Sequence, residues 1–236
     1  WARSTANTEG VNQIMKRQKL FAVILCAAML LSLLPTTALA DGPVKVYVTE
    51  DITTDTTWQE GEYYICKTAD NDEPKVMNGA TLTIESGAKV YFSTRTNTAL
   101  PGTESAPKHP YSSLTVTNGT LYATGVTFTT VPDVTGTEWQ SAGWQGITAL
   151  GAGPGKPTGL SFTDCIFEHD SCGENAYGTI KGEQTNDIDS VVNISVSGCT
   201  FRTPNRNDQA AITYLNGSNT VGSGTISITG SNFTGC

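Results

Sequence analysis

The stretch ISVSGCTF, from Ile194 to Phe201, decides the fold because the chain contains a closely similar stretch three more times. The other copies are LYATGVTF (Leu121–Phe128), LSFTDCIF (Leu160–Phe167) and ISITGSNF (Ile226–Phe233). The interval from the start of one copy to the start of the next shortens along the chain, so the motif is constant while the spacers vary. Repeat periods between about 20 and 50 residues are typical of solenoids, propellers and arrays.

Each copy alternates apolar and polar residues, as in Ile194, Ser195, Val196 and Ser197. This period of two predicts a β-strand, and the richness in Thr, Val and Ile agrees with it. A propeller blade needs four strands in about 40 residues. Each repeat here has the motif strand followed by one weaker strand, in WQGITAL, YGTIKG and QAAITYL. No helical stripe is sustained after Ala40, so we predict an all-β fold, a parallel β-helix.

The repeat extends toward the N-terminus. LTIESGAKV from Leu82 and LTVTNGTLY from Leu114 share apolar, Thr and Gly positions, and the interval between them equals that between Ile194 and Ile226. We therefore predict that these two segments occupy equivalent places in successive turns of the coil.

A single rung cannot bury its inward face alone, so equivalent residues of successive rungs should stack at the strand spacing of about 4.8 Å. The residues predicted to form one buried ladder are Phe128, Phe167, Phe201 and Phe233. Three residues before each of these phenylalanines the chain has Gly125, Asp164, Gly198 or Gly230. Glycine at this position suits a bend in which a Cβ atom is unfavourable, and Asp is tolerated in turns. Cys165 and Cys199 share the next slot, either as small apolar fillers or as a redox pair.

The N-terminal segment 1–40 is predicted to lie outside the solenoid. Its first part, 1–14, has no pattern and no assigned role. The second part, 15–40, has the features of a signal peptide, with basic residues before an apolar run and Ala38-Leu39-Ala40 as the cleavage site. The run from Leu20 to Leu34 is shorter than the roughly 20 residues that cross a bilayer, so we expect a cleaved apolar helix and no membrane insertion after cleavage.

The segment 41–81, with VKVYV and GEYYI, is expected to supply N-terminal capping strands, and the segment 82–236 the rungs of the β-helix. No polar cap follows the last motif, although terminal caps keep solenoids soluble. We therefore expect the β-helix to be incomplete at Cys236 and further domains to lie downstream.

Charge and cysteine content narrow the function. Beyond Ala40 the chain has 10 Lys and Arg against 21 Asp and Glu, a formal net charge of −11. Such a surface repels phosphate backbones and anionic headgroups, so nucleic-acid binding is disfavoured. Five widely spaced cysteines remain there, which is not the dense framework of a small disulfide-stapled domain. With the predicted signal peptide, the chain is expected to be a secreted, extracellular or cell-surface protein.

The repeated motif and the Gly-Ile or Ala-Ile strand after it resemble the right-handed parallel β-helix of pectate-lyase-like proteins, which include secreted and surface proteins of bacteria. The resemblance covers roughly the segment 82–236 and specifies a fold that serves lyases, hydrolases and non-catalytic adhesins alike. A glycosidase of this kind would imply a Gly-His-Gly turn and an Arg-x-Lys strand, and the sequence has neither. A lyase would imply calcium-binding carboxylates and a base. The candidates are Asp164, Glu168, Asp170, Asp187 and Asp189, with Lys181.

Two tryptophans, Trp139 and Trp144, lie in the longest spacer and are candidates for binding a glycan or a partner, because exposed tryptophans can stack on sugar rings. Alternatively, Trp144 covers the edge of a rung. The outward positions of the motif strand hold almost only hydroxyl side chains. We therefore expect an adhesin-like scaffold that binds a polysaccharide, a cell-surface glycan or a partner, without catalysis, metal ligands or a cofactor. The alternative is a polysaccharide lyase or glycoside hydrolase, with calcium.

Overall fold

The computed structural model describes residues 43–65, 73–92, 112–130, 144, 146–168, 179–184, 190–202, 210–215 and 223–234. The chain divides into two units, 1–42 and 43–236, and every described residue belongs to the second. The predicted leader and signal peptide therefore lie outside the described residues.

All regular elements within the described ranges are β-strands, as predicted. They are β1 (Lys45–Val48), β2 (Thr56–Trp58), β3 (Glu62–Ile65), β4 (Lys75–Val76), β5 (Thr81–Ile84), β6 (Lys89–Phe92), β7 (Leu114–Thr117), β8 (Thr120–Thr124), β9 (Thr127–Thr130), β10 (Ile147–Leu150), β11 (Thr158–Thr163), β12 (Ile166–Glu168), β13 (Ile180–Glu183), β14 (Val192–Ser197), β15 (Thr200–Arg202), β16 (Ile212–Leu215), β17 (Gly224–Thr229) and β18 (Asn232–Thr234).

The strands form three sheets in which every pair is parallel. Sheet A has the order β1-β3-β6-β9-β12-β15-β18, sheet B the order β16-β13-β10-β7-β4, and sheet C the order β17-β14-β11-β8-β5-β2. From β4 onward the chain visits sheets B, C and A in strict rotation, so each strand pairs with the strand one turn before it. In the first turn Ile52 takes the place of a sheet B strand through a parallel bridge to Val76. This arrangement is consistent with a parallel β-helix, and one strand from each sheet makes one rung.

The segment 41–81 enters the same three sheets. It contributes β1, β2 and β4, which are the edge strands of sheets A, C and B, and β3, which pairs with both β1 and β6.

The repeated motif contains two strands rather than one strand and its exit turn. In all four copies a strand of sheet C ends, a two-residue bend follows, and a strand of sheet A begins. The first residue of the bend has a positive φ: 61° at Gly125, 52° at Asp164, 64° at Gly198 and 58° at Gly230. This left-handed conformation is the bend that was predicted, and it redirects the chain from one sheet to the next.

One prediction of register is wrong. Leu82 lies in β5 of sheet C and pairs with Leu121, whereas Leu114 lies in β7 of sheet B and pairs with Ile147. The two segments are therefore not equivalent. Strands of all three sheets alternate apolar and polar residues, so the period of two that made the segments look alike does not distinguish one sheet from another.

The inward residues stack in columns between the sheets. The rings of Phe128, Phe167, Phe201 and Phe233 lie in register, with successive centroids 5.0, 4.6 and 4.8 Å apart and planes within 8° of parallel. The first three are fully buried, while Phe233 in the last described rung is 41% exposed. The ladder therefore obtains its burial from the neighbouring rungs, as the physics of stacking requires.

Candidate functional site on the outer face of sheet C

Outward side chains of sheet C form three columns across the strands. The first contains Thr81, Thr120, Gly159, Asn193 and Thr225; the second Thr57, Thr83, Tyr122, Ser161, Ser195 and Ser227; the third Thr124, Thr163, Ser197 and Thr229. No residue of these three columns is charged. The face therefore offers hydroxyl and amide groups, together with one aromatic ring, in a regular array.

Hydrogen bonds between adjacent rungs fix part of this array. The side-chain Oδ1 of Asn193 accepts hydrogen bonds from the backbone N–H of Thr225, at 3.2 Å, and from its hydroxyl, at 2.9 Å. The hydroxyl of Thr229 donates to that of Ser197 at 3.1 Å. These bonds hold the side chains in defined orientations before any ligand arrives.

A groove of about 360 Å³ crosses four strands of this face, β8, β11, β14 and β17. Within the groove, Gly159 lies between Thr120 and Asn193 of the first column. Tyr122 lines the groove from the second column and is 50% exposed. Tyr122 is one of the outward positions of the motif strand, whereas Gly159 and Asn193 precede the first residue of their motif copies and were not predicted to belong to a site. The residue directly before each motif copy is Thr120, Gly159, Asn193 or Thr225. Comparing these four residues could have shown that the second copy lacks a side chain there.

The structure does not place Trp144 on a surface. It is fully buried, its ring stacks on Phe92 with centroids 4.2 Å apart, and its Nε1–H donates to the carbonyl of Glu168 at 3.1 Å. This arrangement corresponds to the alternative in which Trp144 belongs to the rung, and its ring has no free face for a sugar. Trp139 lies outside the described residues.

Of the candidate charged residues, the structure describes Asp164, Glu168 and Lys181, and it does not bring these three together. Lys181 is paired with Glu183 at 2.6 Å on sheet B, and Glu168 with Arg202 at 2.7 Å on sheet A. Asp164 is an exposed bend residue at the boundary of sheets C and A.

Asp170, Asp187 and Asp189 lie outside the described residues. Within the described ranges, no group of three or more His, Cys, Asp or Glu side chains is arranged to hold a metal ion.

Cys165 and Cys199 are free thiols stacked in adjacent rungs, and each is 1% exposed. The backbone N–H of Cys165 donates to the Sγ of Cys199 at 3.4 Å, and the Cys165 thiol donates to the carbonyl of Ala123. The pKa of the Cys165 thiol is raised, first by its hydrogen bond with Cys199 and then by burial. Two buried thiols in contact are compatible with both earlier interpretations, filler and redox pair.

A second aromatic feature lies on the outer positions of sheet A and was not anticipated. Tyr47, Tyr64 and Tyr91 stack in register, with centroids 5.2 and 4.9 Å apart. The Tyr64 hydroxyl donates to Glu62 at 2.9 Å, and its pKa is raised by burial and by that carboxylate. Tyrosine at equivalent places in KVYV, EYYI and KVYF was the available signal. The rings cover one another, so this column mainly stabilises the first rungs.

Comparison with protein-family models, with curated proteins and with solved structures finds no match to this chain. The class of protein therefore rests on the fold alone: the described part of the chain is all-β, with parallel strands stacked in three sheets. No helix in the described part of the chain has the length and apolar character needed to cross a membrane.

Proposed function

We propose that this protein is an exported, adhesin-like scaffold of the right-handed, pectate-lyase-like β-helix kind, secreted or held at the cell surface. It binds a glycan on the outer face of sheet C and performs no catalysis there. The observation that carries the proposal is the array of uncharged hydroxyl and amide side chains, in register over successive rungs. Such side chains pair with sugar hydroxyls, but they cannot act as general acids and bases at neutral pH.

The same face could hold the surface of a partner protein, because its hydroxyls can also pair with polar groups of another chain. Glycan is the preferred ligand because an exposed ring, Tyr122, stands among the hydroxyls, and the apolar face of a pyranose packs on such a ring.

The test uses the purified chain from Asp41 onward with a panel of plant, bacterial and host polysaccharides. We expect retention of at least one polysaccharide in affinity electrophoresis, and no release of reducing or unsaturated sugar ends during prolonged incubation. The Trp139→Ala variant belongs in the same panel, since weaker binding would assign the long spacer a role beside sheet C. Failure to retain any glycan would contradict the proposal.

The second candidate is a polysaccharide lyase or glycoside hydrolase. It is favoured by the Lys181–Glu183 pair, which brings a base and a carboxylate within 2.6 Å on an outward face of sheet B. In that case sugar ends would be released, and Lys181→Ala, Glu183→Gln or changes at Asp187 and Asp189 would abolish the release. A requirement for calcium would support the same candidate.

A further inference from the structure

We propose that the groove on sheet C is a subsite for a neutral pyranose, with Tyr122 as the stacking platform and Asn193 as an oriented amide two strands away in the same groove. This inference rests on the proposed function and specifies its ligand class. The proposed subsite does not include Trp144, whose ring is fully buried.

Gly159 creates the space for the ligand. Its neighbours in the column are Thr120 and Asn193, so one rung lacks a side chain where the rungs on either side have one. A Cβ atom at Gly159 would lie 3.3 Å from the Thr120 Cγ2, which is a tight contact. The backbone of Gly159 does not have a positive φ, so conformation alone does not require glycine there. The missing side chain therefore relieves a contact with Thr120, and the space that remains beside Gly159 is part of the groove that a ligand group can fill.

Tyr122 differs from the stacked tyrosines of sheet A in what lies beside it. Its neighbours in the column are Thr83 and Ser161, so no ring covers it from an adjacent rung. Half of its surface remains exposed. An isolated ring beside hydroxyl groups has the two properties that a sugar requires, an apolar face and polar partners around it.

The polar groups of the groove are oriented but uncharged. Asn193 uses Oδ1 to accept two hydrogen bonds from Thr225, which leaves its Nδ2 group to donate toward a ligand. Ser161 and Ser195 add hydroxyls that both donate and accept. None of the residues that line the groove is charged, and the chain beyond Ala40 has a net charge of −11. An acidic sugar would therefore lack a cationic partner and would meet a repulsive field.

The dimensions fit a short stretch of a glycan chain. Four strands span three strand spacings, about 14 Å at roughly 4.8 Å each. The volume of about 360 Å³ lies toward the lower end of the range of roughly 300–1,000 Å³ that is typical of small-molecule sites.

The experiment measures the affinity of the whole chain for neutral hexasaccharides of glucose, xylose and mannose, with hexagalacturonate as the acidic counterpart, by isothermal titration calorimetry. The variants are Tyr122→Ala and Gly159→Thr. The second variant gives position 159 the side chain that its column neighbour Thr120 has. Thr57→Ala is the matched control, because Thr57 lies in the same column of this face but neither adjoins Tyr122 nor lines the groove. We expect at least one neutral ligand to bind, about tenfold loss in Tyr122→Ala, and a comparable loss in Gly159→Thr. Thr57→Ala should bind as the wild type does, and all variants should keep the wild-type circular dichroism spectrum.

The outcomes separate this inference from the proposed function. Neutral-glycan binding that survives both groove variants would overturn the subsite while leaving the scaffold proposal intact. Tighter binding of hexagalacturonate than of every neutral ligand would overturn the ligand class. Binding of no oligosaccharide or polysaccharide at all would overturn both proposals, and would leave a partner protein as the ligand of this face.

Discussion

The phenylalanine ladder allows a quantitative test of rung stacking through the Phe201→Ala substitution. Phe201 is fully buried and stacks on Phe167 at 4.6 Å and on Phe233 at 4.8 Å. Truncating a buried phenylalanine to alanine costs about 3–5 kcal/mol in the free energy of unfolding. Phe201 lies on β15, which is paired on both sides, and its neighbour Phe167 is fully buried, so the cavity can collapse little, and we expect about 4 kcal/mol. For a chain of this size that lowers Tm by about 8–16 °C.

Phe233→Ala is the matched control, because it removes the same ring from the same column where it is 41% exposed and stacked on one side only. Its expected cost is about 1–2 kcal/mol, since less apolar surface leaves a buried environment. Urea and thermal unfolding followed by circular dichroism measure both variants. Equal costs for the two substitutions, or a loss of less than about 1 kcal/mol for Phe201→Ala, would refute the argument that burial in this ladder comes from the neighbouring rungs.

Three further predictions concern the bend, the thiols and the tyrosine column. Gly198→Ala should lower the free energy of unfolding by about 1–3 kcal/mol, because φ is 64° and the new Cβ would clash with Asp164 Oδ1. In urea unfolding, the double variant with Asp164→Gly should regain part of the lost stability. Cys165 and Cys199 are each 1% exposed, so they should resist alkylation in the native protein and react once urea unfolds it. Peptide mass spectrometry measures the labelling, and rapid labelling of either cysteine in the native protein would contradict their burial. The raised pKa of Tyr64 stabilises the fold while the phenol is protonated, so that contribution is complete below the ordinary tyrosine pKa of about 10 and is lost as pH rises from there toward the folded value. A Tyr64→Phe variant should therefore lose less stability than the wild type as pH is raised above about 10.

Much of the fold could be predicted because the motif repeats with its bend. The spacing of the phenylalanines and the Gly or Asp before them predicted a strand and a bend that recur once per turn. The short strand that follows the bend within the motif was not predicted. Assigning the two earlier segments to sheets failed, because Leu82 and Leu114 have the same alternating surroundings in different sheets. Only hydrogen-bond register distinguishes such strands, and register depends on loop lengths that the pattern does not encode.

The candidate site was predicted less completely, for a different physical reason. Whether an aromatic residue is a surface platform or a core ring depends on what the neighbouring rung places beside it. Trp144 looked available and is buried against Phe92, whereas Tyr122 is exposed because a threonine and a serine are its column neighbours. The groove includes a position without a side chain, Gly159, which the sequence shows when the residues preceding the four motif copies are compared, but its place in a groove requires the register of the rungs.

The constant two-residue bend between sheets C and A has a consequence for how this chain can change. The last four turns keep that corner at the same length, while the interval from one copy of the motif to the next varies. Insertions are therefore absorbed at the other two corners, where added residues can leave every strand pair intact. An extra residue within the bend would instead reverse which side chains of the following strand face inward. Grafted peptides, tags or new recognition loops should be tolerated between sheets A and B and between sheets B and C. The same insertions should disrupt the fold at the bend between sheets C and A.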